Sequence, residues 1–292
     1  MINVGGLTIF SILLRNTHRI LSDFLYLCPV NYKIMNIKHF ILGTLATLML
    51  VSCAQKHYRL VSVDRSRIIV DSRYDKNPDA EAEKFIAPYK RVNDSIMGPI
   101  MGVVAHNMHA QRPESDLSNL LADILVWAAK DYNEEPVLGI YNMGGIRADL
   151  TKGEVTYGDV LDVAPFENKI CFVTLNGEQM ITLFQQMAKR GGEGVSRGVE
   201  LVIEGPENDT KMKSVRLHGK EIDPKAEYRI ATINYLLEGN DGMPILKEGT
   251  NKIAPDNASN NTRFLIMNYF LDKKAKGEIV DSKVEGRIVR IK

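Results

Sequence analysis

From Pro78 to the C-terminus, short apolar runs of β type alternate with segments of helical period, and no other feature constrains the fold as tightly. Pro78 to Asn93, rich in Ala, Glu and Lys, predicts a first helix. Ser115 to Lys130 predicts a second: Leu117, Leu120, Leu121, Ile124, Leu125 and Ala128 recur on one face behind a serine that can cap it. Asn176-Gly177 turns the chain into an amphipathic helix ending near Lys189, and a last helix is expected over Thr262 to Lys273. Strands are expected at Ile100–Met108, Pro136–Asn142, Lys169–Leu175, Gly198–Ile203, Lys213–Leu217, Tyr228–Asn234 and Gly286–Ile291, with Gly153–Phe166 as a link. Short strands interleaved with helices predict a mixed α/β (α+β) class, with mixed sheets packed with helices in one domain over residues 80–292. A composition of 45% apolar and 25% charged residues suits such a core, and a net charge of +1 gives no pull toward nucleic acid.

The N-terminal part reads differently. From Met35, Lys38 supplies a positive start, Phe40 to Val51 is an almost unbroken apolar run, and Leu50-Val51-Ser52-Cys53 closes it. The run is too short to cross a bilayer comfortably, which predicts a signal peptide over residues 35–53. Its last four residues resemble a bacterial lipobox, so Cys53 is expected to be acylated, with enough acyl tails for stable anchoring. Residues 1–34 are ascribed to a misassigned upstream start. Residues 54–79 form a polar tether, with Ile68 to Asp71 as a short strand. The expected location is the bacterial cell envelope, lipid-anchored, on the periplasmic or outer-membrane face. The 3 cysteines, Cys28, Cys53 and Cys171, make no disulfide framework and no Cys-x-x-Cys site. Cys171, between Ile170 and Phe172, reads as a buried small hydrophobe.

Three clusters carry chemistry. Asn142-Met143-Gly144-Gly145-Ile146-Arg147 follows an apolar strand. Paired glycines free a backbone for positive φ and let a ligand reach its amides, and the Arg147 fork matches phosphate or carboxylate oxygens. The same residues also suit an ordinary turn. Ala164-Pro165-Phe166-Glu167-Asn168 either presents a ring at a sheet edge or places Phe166 in the core. Asn234 to Gly242, NYLLEGNDG, either sets the Asp241 carboxylate to accept from paired hydroxyls or forms a plain Asn-Asp-Gly turn.

Taken in order, RPESDLSNLLAD (Arg112 to Asp123), NMGGIR, GEVTYGDVLDVAPFEN and NYLLEGNDG resemble the C-terminal domain of the 5′-nucleotidase and UDP-sugar hydrolase family, over roughly Val92 to Arg290. The resemblance implies a nucleotide-binding domain in which a base lies between two rings. It casts Phe166 and Tyr235 as those rings and Asn168 as the partner of the base edge. Asp241 falls on the ribose hydroxyls and Arg147 on the phosphate with Asn142 beside it, while Arg112 is a weaker match among the substrate-binding residues, since the family's basic residues there vary in offset. Asn240 stands where the family often has Gly, Tyr235 where it commonly has Phe, and Arg197 in Ser196-Arg197-Gly198 where a small residue is frequent.

In that family a preceding domain binds two metal ions, about 3.5–4 Å apart in such sites, that clamp the phosphoryl group and activate water. Its Asp-x-His, Gly-Asn-His-Asp and Gly-His-x-His motifs do not occur here, and His106 and His109 lie three apart with no carboxylate cluster nearby in sequence. No catalytic residue, metal ligand or cofactor is therefore expected in this chain. The resemblance implies a substrate-binding subunit that partners a separately encoded metallophosphatase holding the divalent metals. A standalone nucleotide or nucleoside-sugar binding lipoprotein and a structural or adhesive remnant are the alternatives. The expected ligand is a nucleotide or nucleoside, with no nucleic acid and only a lipid anchor at the membrane.

Overall fold

The computed structural model describes residues 59–73, 75–256 and 258–291. Cys53, the signal segment and the start of the tether lie outside them. The chain divides into two compact units, Met1–Arg73 and Tyr74–Lys292. In the first, residues 59–70 are exposed and in no regular element, so the strand expected at Ile68–Asp71 does not form. A lone β-branched run without a paired edge leaves its ladder groups to water.

The second unit begins with helix α1 (Ala80–Met97), capped by Asp79, whose side chain accepts from the N–H groups of Glu81 and Ala82. Strand β1 (Ile100–Val104) follows, then α2 (Asp116–Ala128), where Ser115 and Ser118 form a reciprocal capping box. The residues that set its period, Leu117, Leu121, Ile124 and Leu125 among them, are fully buried. Strand β2 (Leu138–Tyr141) is buried along its whole length. The segment read as a link holds two elements of its own, β3 (Gly153–Thr156) and α3 (Tyr157–Val163), the latter capped by Thr156 and Asp159. Next come β4 (Ile170–Asn176), α4 (Gly177–Lys189), β5 (Gly194–Val195), β6 (Val199–Glu204), β7 (Lys211–Leu217), β8 (Lys220–Glu221) and β9 (Glu227–Ile233). The four-residue α5 (Asn234–Leu237), β10 (Thr250–Ile253), α6 (Thr262–Ala275) and β11 (Ile288–Ile291) complete the chain.

Among the described residues the strands form three sheets, in the orders β1-β3, β10-β4-β9-β2-β5 and β11-β6-β7-β8. This is the mixed α/β architecture that the alternation predicts. In β6 the side chains of Val199, Leu201 and Ile203 point inward and their neighbours outward, the period-two pattern of a half-buried strand. The expected strand to Met108 stops at Val104, and Met108 makes only an isolated bridge to Leu150. No described helix is long and apolar enough to cross a membrane.

The central sheet explains where chemistry can gather. β2 and β9 run parallel, with Leu138 opposite Ile230, so both end at the same edge. β4 runs antiparallel to β9 with Ile170 opposite Ile233, and β5 antiparallel to β2 with Gly194 opposite Tyr141. Both therefore start at that edge. Four connections converge there: those following Tyr141 and Ile233, and those preceding Ile170 and Gly194.

Candidate functional site

At this edge a cavity of about 280 Å³ is lined by Asn142, Gly144, Gly145, Phe166, Asn168, Tyr235 and Asp241. Five of the seven residues singled out in the sequence thus meet in one place. Phe166 is 47% exposed and Tyr235 38%, so neither ring is core. Asn142 is buried, and its Nδ2 donates to Asp241 Oδ2 at 2.9 Å. Asp241 Oδ1 accepts from Arg190 Nη2 at 3.2 Å. With one bond on each oxygen, the carboxylate keeps lone pairs for a ligand's hydroxyls.

The paired glycines act otherwise than the sequence suggests. Neither Gly144 nor Gly145 has positive φ; with Met143 they form one 3₁₀ turn. Gly145 is needed for space, since a Cβ there would stand 2.4 Å from Asn142 Oδ1. The left-handed positions lie in the opposite wall, where Gly239, Asp241 and Gly242 have φ of 75°, 52° and 70°.

Arg147 and Arg112 are not among the lining residues. Arg147 is exposed, with its guanidinium carbon 6.0 Å from the centre of the Phe166 ring. Arg112 donates through Nε to Gly192 O at 2.8 Å and through Nη2 to Glu193 Oε1 at 2.5 Å. Glu193, whose side chain is wholly buried, joins the parts: Oε1 also accepts from Arg190 Nε at 2.8 Å, and Oε2 from the Met143 N–H at 2.6 Å. Burial opposes the charge on Arg190, but the hydrogen bond and negative charge of Glu193 outweigh it and raise its pKa. Arg112 and Arg190 thus converge on Glu193, and Arg190 also reaches Asp241.

Further residues shape the site, of which Arg263, Arg190 and Glu193 escaped the sequence reading. Asn234 Oδ1 accepts from Lys169 N at 3.0 Å and Asn234 N donates to Lys169 O at 2.9 Å, tying the Phe166 loop to the Tyr235 turn. Arg263 Nη2 donates to Pro165 O at 2.7 Å and holds the same loop from α6. Asn240, a departure from the family pattern, donates to Tyr235 O at 2.9 Å and braces the turn. Arg197 pairs with Glu285 at 2.6 Å and does not line this cavity. Arg190 and Glu193 lie in Lys-Arg-Gly-Gly-Glu-Gly, a glycine-rich stretch ahead of a strand. That resemblance to NMGGIR was the available signal.

Carboxylates do surround the first of the two neighbouring histidines, against expectation. His106 Nε2 is 3.3 Å from Asp116 and Nδ1 is 3.2 Å from Asp281, a residue far along the chain. His109 Nδ1 is 2.8 Å from Asp149. Even so, no group of three potential metal ligands converges among the described residues. A larger concavity of about 410 Å³ beside Trp127, His218 and Tyr269 carries less chemistry. Its cations Arg197 and Lys273 are already paired with Glu285 and Glu278, and no buried polar group points to a ligand there.

Comparison with known proteins agrees with this geometry. The 5′-nucleotidase precursor of Thermus thermophilus superposes with a TM-score of 0.61 at 22% identity, over 72% of this chain and 43% of that one. The NAD nucleotidase of Haemophilus influenzae gives 0.51 at 20%, over 73% and 41%. In sequence, the chain is 26% identical over 261 residues to the trifunctional nucleotide phosphoesterase protein YfkN of Bacillus subtilis, covering 80% of this chain and 17% of that protein. The UshA protein of Yersinia enterocolitica is 24% identical over 218 residues, 72% of this chain and 38% of its own length. The family model for the 5′-nucleotidase C-terminal domain matches residues 97–248. The fold is that of a 5′-nucleotidase-type domain, and the chain belongs to the 5′-nucleotidase C-terminal domain family. It spans less than half the length of each of these relatives.

Proposed function

We propose that this chain binds a nucleotide at the sheet edge and presents it to a separately encoded metallophosphatase, as the substrate-binding subunit of a split 5′-nucleotidase. The observation that carries the reading is the meeting of Asn142, Phe166, Asn168, Tyr235 and Asp241 around one cavity. In this reading the Phe166 and Tyr235 rings take the two faces of the base, Asn168 meets its edge, and Asp241 accepts from the ribose diol. Arg147 serves the phosphate side, with Arg112 and Arg190 adding field. In this reading hydrolysis falls to the partner.

Calorimetry with AMP on the full chain tests the binding step. One stacked ring contributes about 1–3 kcal/mol, so Phe166→Ala and Tyr235→Ala should each weaken binding roughly 5- to 150-fold. Because both rings are substantially exposed, the melting temperature should hardly move. Asp241→Ala should weaken AMP more than its 2′,3′-dideoxy analogue. Unchanged affinity in folded ring variants would remove the nucleotide from this site. The chain alone should release no phosphate from AMP with Mn²⁺, Zn²⁺ or Mg²⁺, and turnover should appear only on adding the partner. AMP binding without a functional partner would leave a standalone binding lipoprotein. The expected anchor is Cys53, and Cys53→Ser should shift the protein from the detergent phase to the aqueous phase.

A further inference from the structure

Helix α1 presents an apolar seam that no other described residue covers. Phe85, Tyr89, Val92 and Ile96 follow one another at spacings of four, three and four, which places them on one narrow stripe. They are 72%, 67%, 61% and 55% exposed, and no residue of the helix is buried. The Phe85 and Tyr89 rings touch each other, with centroids 5.9 Å apart. A solvated helix has no reason to carry such a stripe, whereas a helix that packs against one partner element does.

We propose that this seam is the docking surface for the metallophosphatase subunit, an inference that rests on the split-enzyme reading above. Three observations select that occupant. The family match begins at residue 97, the last residue of α1, and its description is that of a C-terminal domain. The part of the relatives that precedes this domain therefore lies on the α1 side in chain order, and that part is large: the chain spans 43% of the Thermus protein. Second, the end of α1 is fastened to the element that delivers Phe166. Tyr157 N donates to Pro99 O at 2.9 Å, and Gly158 leaves room where a Cβ would stand 3.3 Å from Met97 Cβ. Helix α3 then runs straight into Ala164–Asn168, so the seam stands one short helix from the cavity. Third, the charges disfavour a lipid surface. Glu81, Glu83 and Asp94 balance Lys84, Lys90 and Arg91, three against three, whereas membrane-surface helices are rich in Lys and Arg.

The probes are the separately encoded chains of the source genome that carry the Asp-x-His, Gly-Asn-His-Asp and Gly-His-x-His motifs, each purified and titrated against the full chain. Association is read by sedimentation and phosphate release from AMP. One candidate should bind and restore turnover. Phe85→Glu with Val92→Glu should weaken that association about 100-fold or more, as expected at the centre of an interface. Phe85→Leu should stay near wild type. AMP affinity and melting temperature of the glutamate variant alone should not change, because the replaced side chains are exposed. Association and turnover indifferent to the seam variants would overturn the docking site while leaving the split enzyme standing. Failure of every candidate to bind would overturn both. Self-association of the pure chain that the variants abolish would make a second copy the occupant. Binding to phosphatidylglycerol vesicles that they abolish would make it a lipid surface. Either result overturns the proposal.

Discussion

Glu193 offers the sharpest test of how the site is held together. Its wholly buried carboxylate accepts from Arg112 and Arg190 on one oxygen and from the Met143 N–H on the other. Glutamine has the same shape but only one accepting end. With its oxygen toward the arginines, its NH₂ confronts the Met143 N–H; turned over, its NH₂ confronts two guanidinium groups. Either orientation leaves a buried donor unpaired, which costs about 1–3 kcal/mol. The lost charge adds less, because Arg112 and Arg190 are 36% and 34% exposed and water takes over much of the interaction. We expect Glu193→Gln to destabilise the protein by about 2–4 kcal/mol, a drop of roughly 4–16 °C in melting temperature at about 2–4 °C per kcal/mol for a unit of this size. Scanning calorimetry measures it, with Lys90→Gln as control, since that exposed ion pair with Asp94 should contribute under about 1 kcal/mol. AMP affinity should fall too, because Arg190 loses the group that steers it toward Asp241. A Glu193→Gln protein melting with the wild type would refute the view that this carboxylate organises the edge.

Gly145→Ala should destabilise the turn and lower AMP affinity, since its Cβ would stand 2.4 Å from the pinned Asn142 side chain, while Gly144→Ala, with nothing closer than 3.8 Å, should melt near wild type. Cys171 should resist iodoacetamide at a pH of about 8 until the protein unfolds, because burial pushes its thiol up to about 11. The unfolded thiol ionises first, so this group should cost stability as pH rises from 9.0 to about 11, and native-state alkylation at a free-thiol rate would contradict the burial. The hydrogen bond and charge of Asp149 raise the pKa of His109, so the imidazole should titrate above its ordinary value by NMR and fall back in Asp149→Asn. Its favourable contribution should be complete below the ordinary value of 6.5 and fade as pH climbs through the raised one. Asn176→Ala should cost about 1 kcal/mol by removing the reciprocal cap with Gln179 at the start of α4, measured by denaturant melts.

What the sequence made legible follows from the range of each interaction. Helix α2 was readable because its period and the Ser115 cap are local, and α4 because Asn176 announces it. The two-residue strands β5 and β8 were not, since so short a run carries no period. Helix α3 was hidden in an apparent link because its seven residues bury only Val160 and Val163. Within the site, Phe166, Tyr235, Asn168, Asn142 and Asp241 were found through ordered motifs, yet their meeting depends on strand directions that no local pattern reports. The placement of Arg147 and Arg112 is not local either: Arg112 pairs with Glu193, which is distant in the chain, and Arg147 stands outside the lining of the cavity. Glu193 itself looked like any charged residue between glycines; only burial reveals its part. The carboxylates about His106 were likewise invisible, because Asp281 approaches from the far end of the chain.

The parallel pairing of β2 with β9 joins segments separated by nearly the whole length of the central sheet's connections, with Leu138 beside Ile230. Pairing strands so far apart in the chain requires closing a large loop, an entropic cost that must be met before the contacts are made. The cavity draws Asn142 and Asp241 from beyond the ends of these two paired strands, where they meet through a hydrogen bond of 2.9 Å. If the proposed nucleotide occupies the cavity, its binding is coupled to that pairing. A nucleotide at about 100 times its dissociation constant would stabilise the folded chain by about 2.7 kcal/mol and leave folding intermediates untouched.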